Sequence, residues 1–127
     1  MVPDWEFNEA AIADLVNAEG IQAAVDTVAA AAEAAAVRAC PVDVGRLVAT
    51  ISIERAGAGR WVQYGNDTDA RYAPYIEWGT RPHIITPSAK AALYWLGADH
   101  PVARIHHPGT PAFRVITGAA LQAAIGA

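Results

Sequence analysis

The sequence predicts one α+β domain over residues 1–127, in which a long N-terminal helix and helices near and at the C-terminus pack on a small antiparallel sheet. Three observations indicate this class. A chain of 127 residues has the length of a single domain. Its first third is alanine-rich, with apolar residues at helical spacing. Its middle alternates apolar and polar residues around glycine-containing turns, which is typical of strands.

Two helices are predicted at the N-terminus. Asn8 can cap a short first helix, and Gly20 interrupts its apolar pattern, so residues 1–20 are predicted to be a helical extension of the domain. A longer helix is predicted from Ile21 to Ala39, because apolar residues recur there once per helical turn. Pro41 ends this helix, since the residue before a proline avoids helical backbone angles.

Strands are predicted in the middle and in the last third of the chain. The alternation from Leu47 to Glu54 is typical of a strand with one buried face. The flexible turn Gly57–Gly59 joins it to a returning strand over Arg60–Gly65, and the pair predicts a hairpin. A third strand is predicted over Val102–His106, which is short, alternating and flanked by turn residues.

Further helices are predicted after the hairpin. Tyr72–Trp78 is predicted to be a short helix with Pro74 in its first turn, and Gly79 breaks it. Thr86-Pro87 and Thr110-Pro111 each place a hydroxyl cap before a proline, which is typical of a helix start. The second of these two helices is predicted to run nearly to the C-terminus.

Charge and composition exclude some classes of function. The formal net charge is −4 and the nine Lys and Arg residues are scattered, which argues against tight sequence-independent DNA binding. The single Cys40 forms no intrachain disulfide. Asp26, Glu33 and Arg38 interrupt the longest apolar stretch, and the N-terminus does not resemble a secretory signal, so we expect no membrane span and folding in a cytoplasm. Abundant alanine favours the burial of further surface against copies of the same chain.

The histidines are the best candidates for chemistry. His106 and His107 are adjacent, so on a strand they point to opposite faces and share one metal ion only if Pro108-Gly109 turns the backbone sharply. A turn or interface role is the other interpretation. No catalytic residue, metal site or cofactor is predicted, and a small metal-dependent enzyme that uses His83, His106 and His107 is the alternative of another class.

Aromatic residues are densest between residues 64 and 78. Core packing and interface anchoring both remain open for the members of this cluster, which are Tyr64, Tyr72, Tyr75 and Trp78. Glu77 lies among them and is expected to need a cationic partner, within the subunit or from a neighbour. The candidate partners are Arg46, Arg71 and Arg81. A generic protein-interaction module that binds through the aromatic cluster is a further hypothesis.

Three short segments form an ordered set. Pro41–Leu47 is P-V-D-V-G-R-L, Tyr72–Thr80 is Y-A-P-Y-I-E-W-G-T, and His107–Phe113 is H-P-G-T-P-A-F. In this order they resemble the P-V-D-T-G-x-L opening, the Y-A-x-x-V-E-F-G-T signature and the H-P-G-T … P-F segment of the tail-component family of long-tailed bacteriophages. The candidate interface residues within these segments are Asp43, Gly45, Arg46, Leu47, Tyr72, Tyr75, Glu77, Trp78, Gly79, Thr80, His107, Pro108, Gly109, Thr110 and Phe113.

The resemblance implies a structural subunit of the phage head–tail junction, either a neck or connector protein or a tail-completion protein. Such a subunit forms a homo-oligomeric ring of about six or twelve copies. It joins adjacent connector and tail proteins, and double-stranded DNA passes through the lumen without sequence-specific binding. A tail terminator ring is the alternative. The implied location is the virion, after synthesis in the bacterial host cytoplasm, with no membrane, no cofactor and no catalysis. The acidic loop with Asn66, Asp67 and Asp69 is the candidate for facing the lumen or the next ring.

Overall fold

The computed structural model describes residues 4–127, so residues 1–3 of the predicted N-terminal extension lie outside the described residues. The chain combines helices with short antiparallel strands, which confirms the predicted α+β class. The helices are α1 (Glu9–Val16), α2 (Glu19–Ala39), α3 (Ala73–Trp78) and α4 (Leu121–Gly126), and the strands are β1 (Ser52–Ala56), β2 (Gly59–Gln63), β3 (His83–Ile85) and β4 (Ile105–His107). A 3₁₀ turn spans Val48–Thr50, and a π-helical segment spans Val115–Ala120 and leads directly into α4.

The two N-terminal helices form much as predicted. The Asn8 side chain accepts a hydrogen bond from the backbone N–H of Ala11 at 3.0 Å and caps α1. The break between the helices falls at residues 17 and 18, and Gly20 lies in the first turn of α2 rather than between the two helices. The backbone is extended at the residue before Pro41, and α2 ends there as expected.

The β1–β2 hairpin lies against α2. Its strands pair antiparallel from Ser52 opposite Gln63 to Ala56 opposite Gly59. Gln22 of α2 donates a hydrogen bond to the carbonyl oxygen of Ala58 in the turn at 3.0 Å. This hydrogen bond complements the apolar packing of the hairpin on the helix.

The predicted strand over Leu47–Glu54 is wrong in its first half. Leu47 turns inward and is 3% exposed, and the next residues form the 3₁₀ turn. The hydroxyl of Thr50 donates to the carbonyl oxygen of Leu47 at 2.6 Å and accepts from the backbone N–H of Gly65 at 2.7 Å. A short polar side chain thus offers the backbone a local alternative to the strand ladder, and β1 begins only at Ser52.

The remaining strands form a second sheet rather than an extension of the first. β3 and β4 pair antiparallel from His83 opposite His107 to Ile85 opposite Ile105. The predicted third strand therefore begins later than Val102, which instead forms an isolated bridge with Leu93.

The two helices predicted from threonine–proline pairs differ from expectation. No helix forms after Thr86, where the chain runs through turns. The large apolar side chains Tyr94, Trp95 and Leu96 stay exposed there, so the body offers no surface against which a helix could bury them. Thr110 pairs with Thr80 across a bridge instead of capping a helix. The C-terminal helical segment begins only at Val115, after Arg114 adopts a left-handed backbone conformation with φ of 48°.

The core is built mainly from alanine. Among the described residues the buried apolar side chains are Ala29, Ala32, Ala35, Ala36, Cys40, Leu47, Ala70, Ala73, Val115 and Ala120. They lie where α2 packs against the C-terminal helical segment and the β1–β2 hairpin. Small side chains bury little area each, so this core alone stabilises the chain weakly.

Residues 80–110 form an arm that projects from this body. The arm contains β3, β4 and the turns between them, and none of its residues is buried. Its two ends meet at the Thr80–Thr110 bridge.

The longest helix meets a simple test for membrane helices. By length and apolar composition alone, α2 is the one helix among residues 4–127 that is long and apolar enough to cross a membrane. Core helices pass the same test, and α2 buries one face against the rest of the body. In this fold it serves as the central core helix.

Candidate functional site

Glu77, in the last turn of α3, is the one buried charged residue of the described chain. Its side chain accepts four hydrogen bonds: from the Tyr64 hydroxyl at 2.6 Å, from the backbone N–H of Ile116 at 3.1 Å, and from the N–H and hydroxyl of Thr117, both at 2.7 Å. The carboxylate thus joins α3 to the end of the hairpin and to the first turn of the C-terminal helical segment. That turn presents free N–H groups, which favour a negative charge.

These contacts decide the ionisation of the site. Burial disfavours the charged carboxylate, but the hydrogen bonds from Tyr64, Thr117 and Ile116 outweigh it and lower the pKa of Glu77 to about 2. Burial, together with the bond to Glu77 and its charge, raises the pKa of Tyr64 above its ordinary value. Glu77 is therefore ionised and Tyr64 protonated at neutral pH.

The expectation of an arginine partner for Glu77 within the same chain is wrong. Neither Arg46 nor Arg71 nor Arg81 contacts the carboxylate, and the negative charge is balanced by backbone N–H groups and two hydroxyls. Nothing in the sequence pattern indicates that Tyr64 and Thr117 share a site. Thr117 lies in the predicted C-terminal helix, but it is 40 residues from Glu77 in sequence, so a local sequence pattern cannot reveal their contact.

Backbone hydrogen bonds fix the same junction. The N–H of Phe113 donates to the carbonyl oxygen of Ile76 at 2.9 Å, and that of Arg114 donates to the carbonyl oxygen of Glu77 at 3.2 Å. The Arg114 guanidinium lies over the Trp78 ring, 5.5 Å from its centroid. The segment after the arm is thereby attached to the last turn of α3.

The second and third of the resembled segments cross at the base of the arm. The N–H groups of Thr80 and Thr110 each donate to the carbonyl oxygen of the other, at 3.0 and 3.2 Å, and their hydroxyls lie 3.1 Å apart. Gly79 and Gly109 both have positive φ, 72° and 86°. A Cβ on Gly79 would lie 2.5 Å from the Thr110 carbonyl oxygen, and a Cβ on Gly109 would meet that of Thr80. The crossing therefore needs glycine on both segments.

The first resembled segment lies apart from this crossing. Leu47 belongs to the core, whereas Asp43 and Arg46 are exposed and Gly45 makes a turn with φ of 79°. Pro108, at the end of the arm, is exposed. The structure thus brings together two of the three segments, not all of them.

The aromatic cluster divides between core and surface. Tyr64 packs against the core and is half-buried. Tyr72, Tyr75 and Trp78 are exposed, by 40%, 61% and 60%. Only Tyr64 therefore fits the core interpretation, and the other three are available to a partner.

The acidic loop is exposed and ordered by one side chain. Asn66 accepts hydrogen bonds through Oδ1 from the backbone N–H groups of Thr68, Asp69 and Ala70. Hydrogen bonds from Asn66 and Thr68, with the charge of Arg46, lower the pKa of Asp69. Both Asp67 and Asp69 face solvent.

Two of the three candidate metal ligands come together on the arm. The rings of His83 and His107 stack with centroids 4.9 Å apart, while His106 lies opposite Ile84 in the ladder. The Nδ1 of His107 accepts from the N–H of Gly109 at 3.0 Å. Within residues 4–127 no group of three or more His, Cys, Asp or Glu side chains is placed to hold a metal ion.

Comparisons with known proteins give no relative. No family model, no curated protein and no solved structure matches this chain. The resemblance to the phage tail-component family thus rests on the three segments themselves.

Proposed function

We propose that this chain is a structural subunit of the phage head–tail junction, a neck or connector protein or a tail-completion protein. It forms a homo-oligomeric ring around the DNA channel and joins the neighbouring connector and tail proteins. The order of the three resembled segments supports this function. The crossing of the second and third segments gives their glycines and threonines a common structural purpose, because it anchors the arm to the body.

The observation that carries the proposal is the large apolar surface that the chain leaves uncovered. Its most exposed large side chains, each at least 60% exposed, are Trp5, Phe7, Leu15, Val42, Val44, Trp61, Tyr75, Trp78, Tyr94, Leu96 and Ile125. A chain with an alanine core cannot readily offset this exposure within itself. Tyr and Trp are enriched in protein interfaces, and the exposed Tyr75 and Trp78 lie about one helical turn apart on α3. A subunit that is completed by its neighbours fits both observations.

The acidic loop supports the placement around DNA. Asp67 and Asp69 are exposed on a loop that the Asn66 side chain holds in shape. Negative charge on a channel wall repels the phosphate backbone and lets DNA slide without being held. Replacement of both aspartates by lysine should impair DNA passage or retention in virions, whereas unchanged packaging and infectivity would contradict this role of the loop.

A tail terminator ring would share these features and differ in its position in the virion. The metal-dependent enzyme has weaker support, because His83 and His107 stack on each other and both Nδ1 atoms lie at hydrogen-bond distance from backbone atoms. The interaction module would bind partners other than copies of itself. Each alternative therefore predicts a different assembly or metal content.

The test is the mass of the purified protein over a range of concentrations, with metal content and electron micrographs from the same sample. We expect a metal-free ring of about six or twelve subunits with a central channel. Stoichiometric zinc or iron in a monomer would favour the enzyme. A closed dimer without a channel would contradict the ring.

A further inference from the structure

Charge is divided unevenly between the N-terminal helices and the arm. Residues 1–37 contain seven acids and neither lysine nor arginine, and most of these acids lie on or beside α1 and the start of α2. The arm has the opposite character. It carries Arg81, Lys90 and Arg104 against the single Asp99, and it holds all four histidines of the chain. One exposed region is therefore acidic and another is basic.

Both regions also expose apolar side chains that nothing in the chain covers. α1 contributes no buried residue, and its Ile12 and Leu15 are 47% and 63% exposed. On the arm, Tyr94 and Trp95 are 67% and 50% exposed, and Leu96 is fully exposed. Since both sets are exposed, the arm and α1 of the same chain do not cover each other.

We propose that the arm of one copy docks on α1 and the start of α2 of a second copy, an inference that rests on the proposed ring function and identifies its subunit contact. Opposite charge and matching apolar character select a second copy as the occupant of each surface. The contact joins two different surfaces, so each copy uses its arm on one neighbour and its N-terminal helices on the other. Such head-to-tail contacts generate rings when the rotation closes.

The apolar part of the arm is large enough to contribute about half of a subunit interface. Covering the exposed parts of Tyr94, Trp95 and Leu96 would remove on the order of 400 Å² of arm surface from water. A stable interface buries about 800 Å² per partner. The charged residues around the apolar centre supply the remaining rim, where complementary charge steers association and selects the partner.

A charge swap tests the contact directly. The arm-acid variant carries Arg81→Glu, Lys90→Glu and Arg104→Glu, and the helix-base variant carries Glu9→Lys, Asp14→Lys and Glu19→Lys. We expect each variant to associate at least about tenfold more weakly than the natural chain in sedimentation velocity at low salt. The chain with all six changes should regain association, because opposite charges again face each other between copies. If the variant with all six substitutions associates as weakly as the other two variants, the inference is wrong. It is also wrong if the natural chain stays monomeric at every concentration.

A cross-link between copies locates the contact independently of charge. In a Cys40→Ala background, a mixture of Leu96→Cys and Leu15→Cys chains should form a mixed bismaleimide product in at least about fivefold excess over the Leu96→Cys and Val44→Cys control mixture. Val44 is 67% exposed, much as Leu15 is, but it follows the C-terminal end of α2, far along the helix from α1 and the start of α2. Equal yields from the two mixtures would overturn the inference.

The same samples separate this inference from the proposed function. If micrographs show that the arm-acid variant still forms rings, the proposed ring function stands and the arm contact is refuted. If the chain associates through the arm but forms particles without a channel, the arm contact stands and the ring is refuted. If duplex DNA binds the natural chain but not the arm-acid variant, while self-association is equal in both, then DNA rather than a second copy occupies the arm.

Discussion

Glu77→Gln tests whether the buried carboxylate holds α3 to the C-terminal helical segment. Glutamine keeps the size of glutamate but replaces one acceptor oxygen by an NH₂ group. Both carboxylate oxygens accept from backbone N–H groups, those of Ile116 and Thr117, so the amide NH₂ faces a donor in either orientation. We expect the variant to lose about 3 kcal/mol of the free energy of unfolding at pH 7.

The pKa of the carboxyl gives a matching magnitude. The pKa of Glu77 is lowered from 4.5 to about 2 in the folded chain, so the unfolded chain binds this proton more readily. The stabilisation is therefore complete above pH 4.5 and is lost as the pH falls toward 2. A separation of about 2.5 between the two pKa values corresponds to about 3 kcal/mol. About 2 kcal/mol of it should already be lost at pH 3.

Urea unfolding at pH 7 and pH 3 measures this contribution. The other acids titrate in both chains, so the difference between the natural chain and Glu77→Gln isolates the one carboxylate. We expect that difference to shrink by about 2 kcal/mol from pH 7 to pH 3. Glu54→Gln is the control, because Glu54 is exposed and its loss should change stability by less than about 0.5 kcal/mol. An equal difference at both pH values, or a Glu77→Gln chain as stable as the control, would refute the reasoning.

Further substitutions at the carboxylate, at the base of the arm and in the core are tested by the same unfolding assay. Tyr64→Phe removes the hydroxyl that donates to Glu77 and should cost about 1–2 kcal/mol, whereas an unchanged midpoint would show that the bond is dispensable. Gly109→Ala should cost at least about 2 kcal/mol, and its control Gly57→Ala only about 1 kcal/mol. Both glycines have positive φ, but only a Cβ on Gly109 would meet a facing carbonyl oxygen. Equal losses would contradict the close crossing. Leu47→Ala should cost about 2–4 kcal/mol, and a loss below about 1 kcal/mol would argue against its place in the core.

The elements that could be predicted from sequence are those that local physics decides. The cap at Asn8, the stop before Pro41 and the turn between β1 and β2 each depend on neighbours in the chain, and all three are confirmed. The identical threonine–proline starts at Thr86 and Thr110 fail for tertiary reasons. The first has no surface to bury a helix against, and the second uses its backbone and hydroxyl at the crossing.

The candidate site could be predicted in its members but not in its geometry. The resembled segments contain Glu77 and the glycines and threonines of the crossing, but they do not contain Tyr64 or Thr117, whose side chains bond to the carboxylate. By charge alone, a carboxylate that lies among aromatic residues is expected to have a cationic side chain as its partner. The carboxylate is instead stabilised by backbone N–H groups at a helix N-terminus and by two hydroxyls, and only the fold brings these distant segments together.

The position of Glu77 links the stability of the body to the presentation of the arm. The arm leaves α3 through Gly79 and returns at Thr110, and the residues that follow bond to the carbonyl oxygens of α3 and to the Glu77 carboxylate. Both ends of the arm are thus attached to the same helical turn. Because an interface can be only as specific as the orientation of its parts, the buried carboxylate acts as a positioning residue for the arm. Glu77→Gln should therefore weaken self-association at pH 7 without urea, in samples whose circular dichroism matches that of the natural chain, while Glu54→Gln should not. Equal association of the two variants in sedimentation velocity would show that the arm is oriented without Glu77.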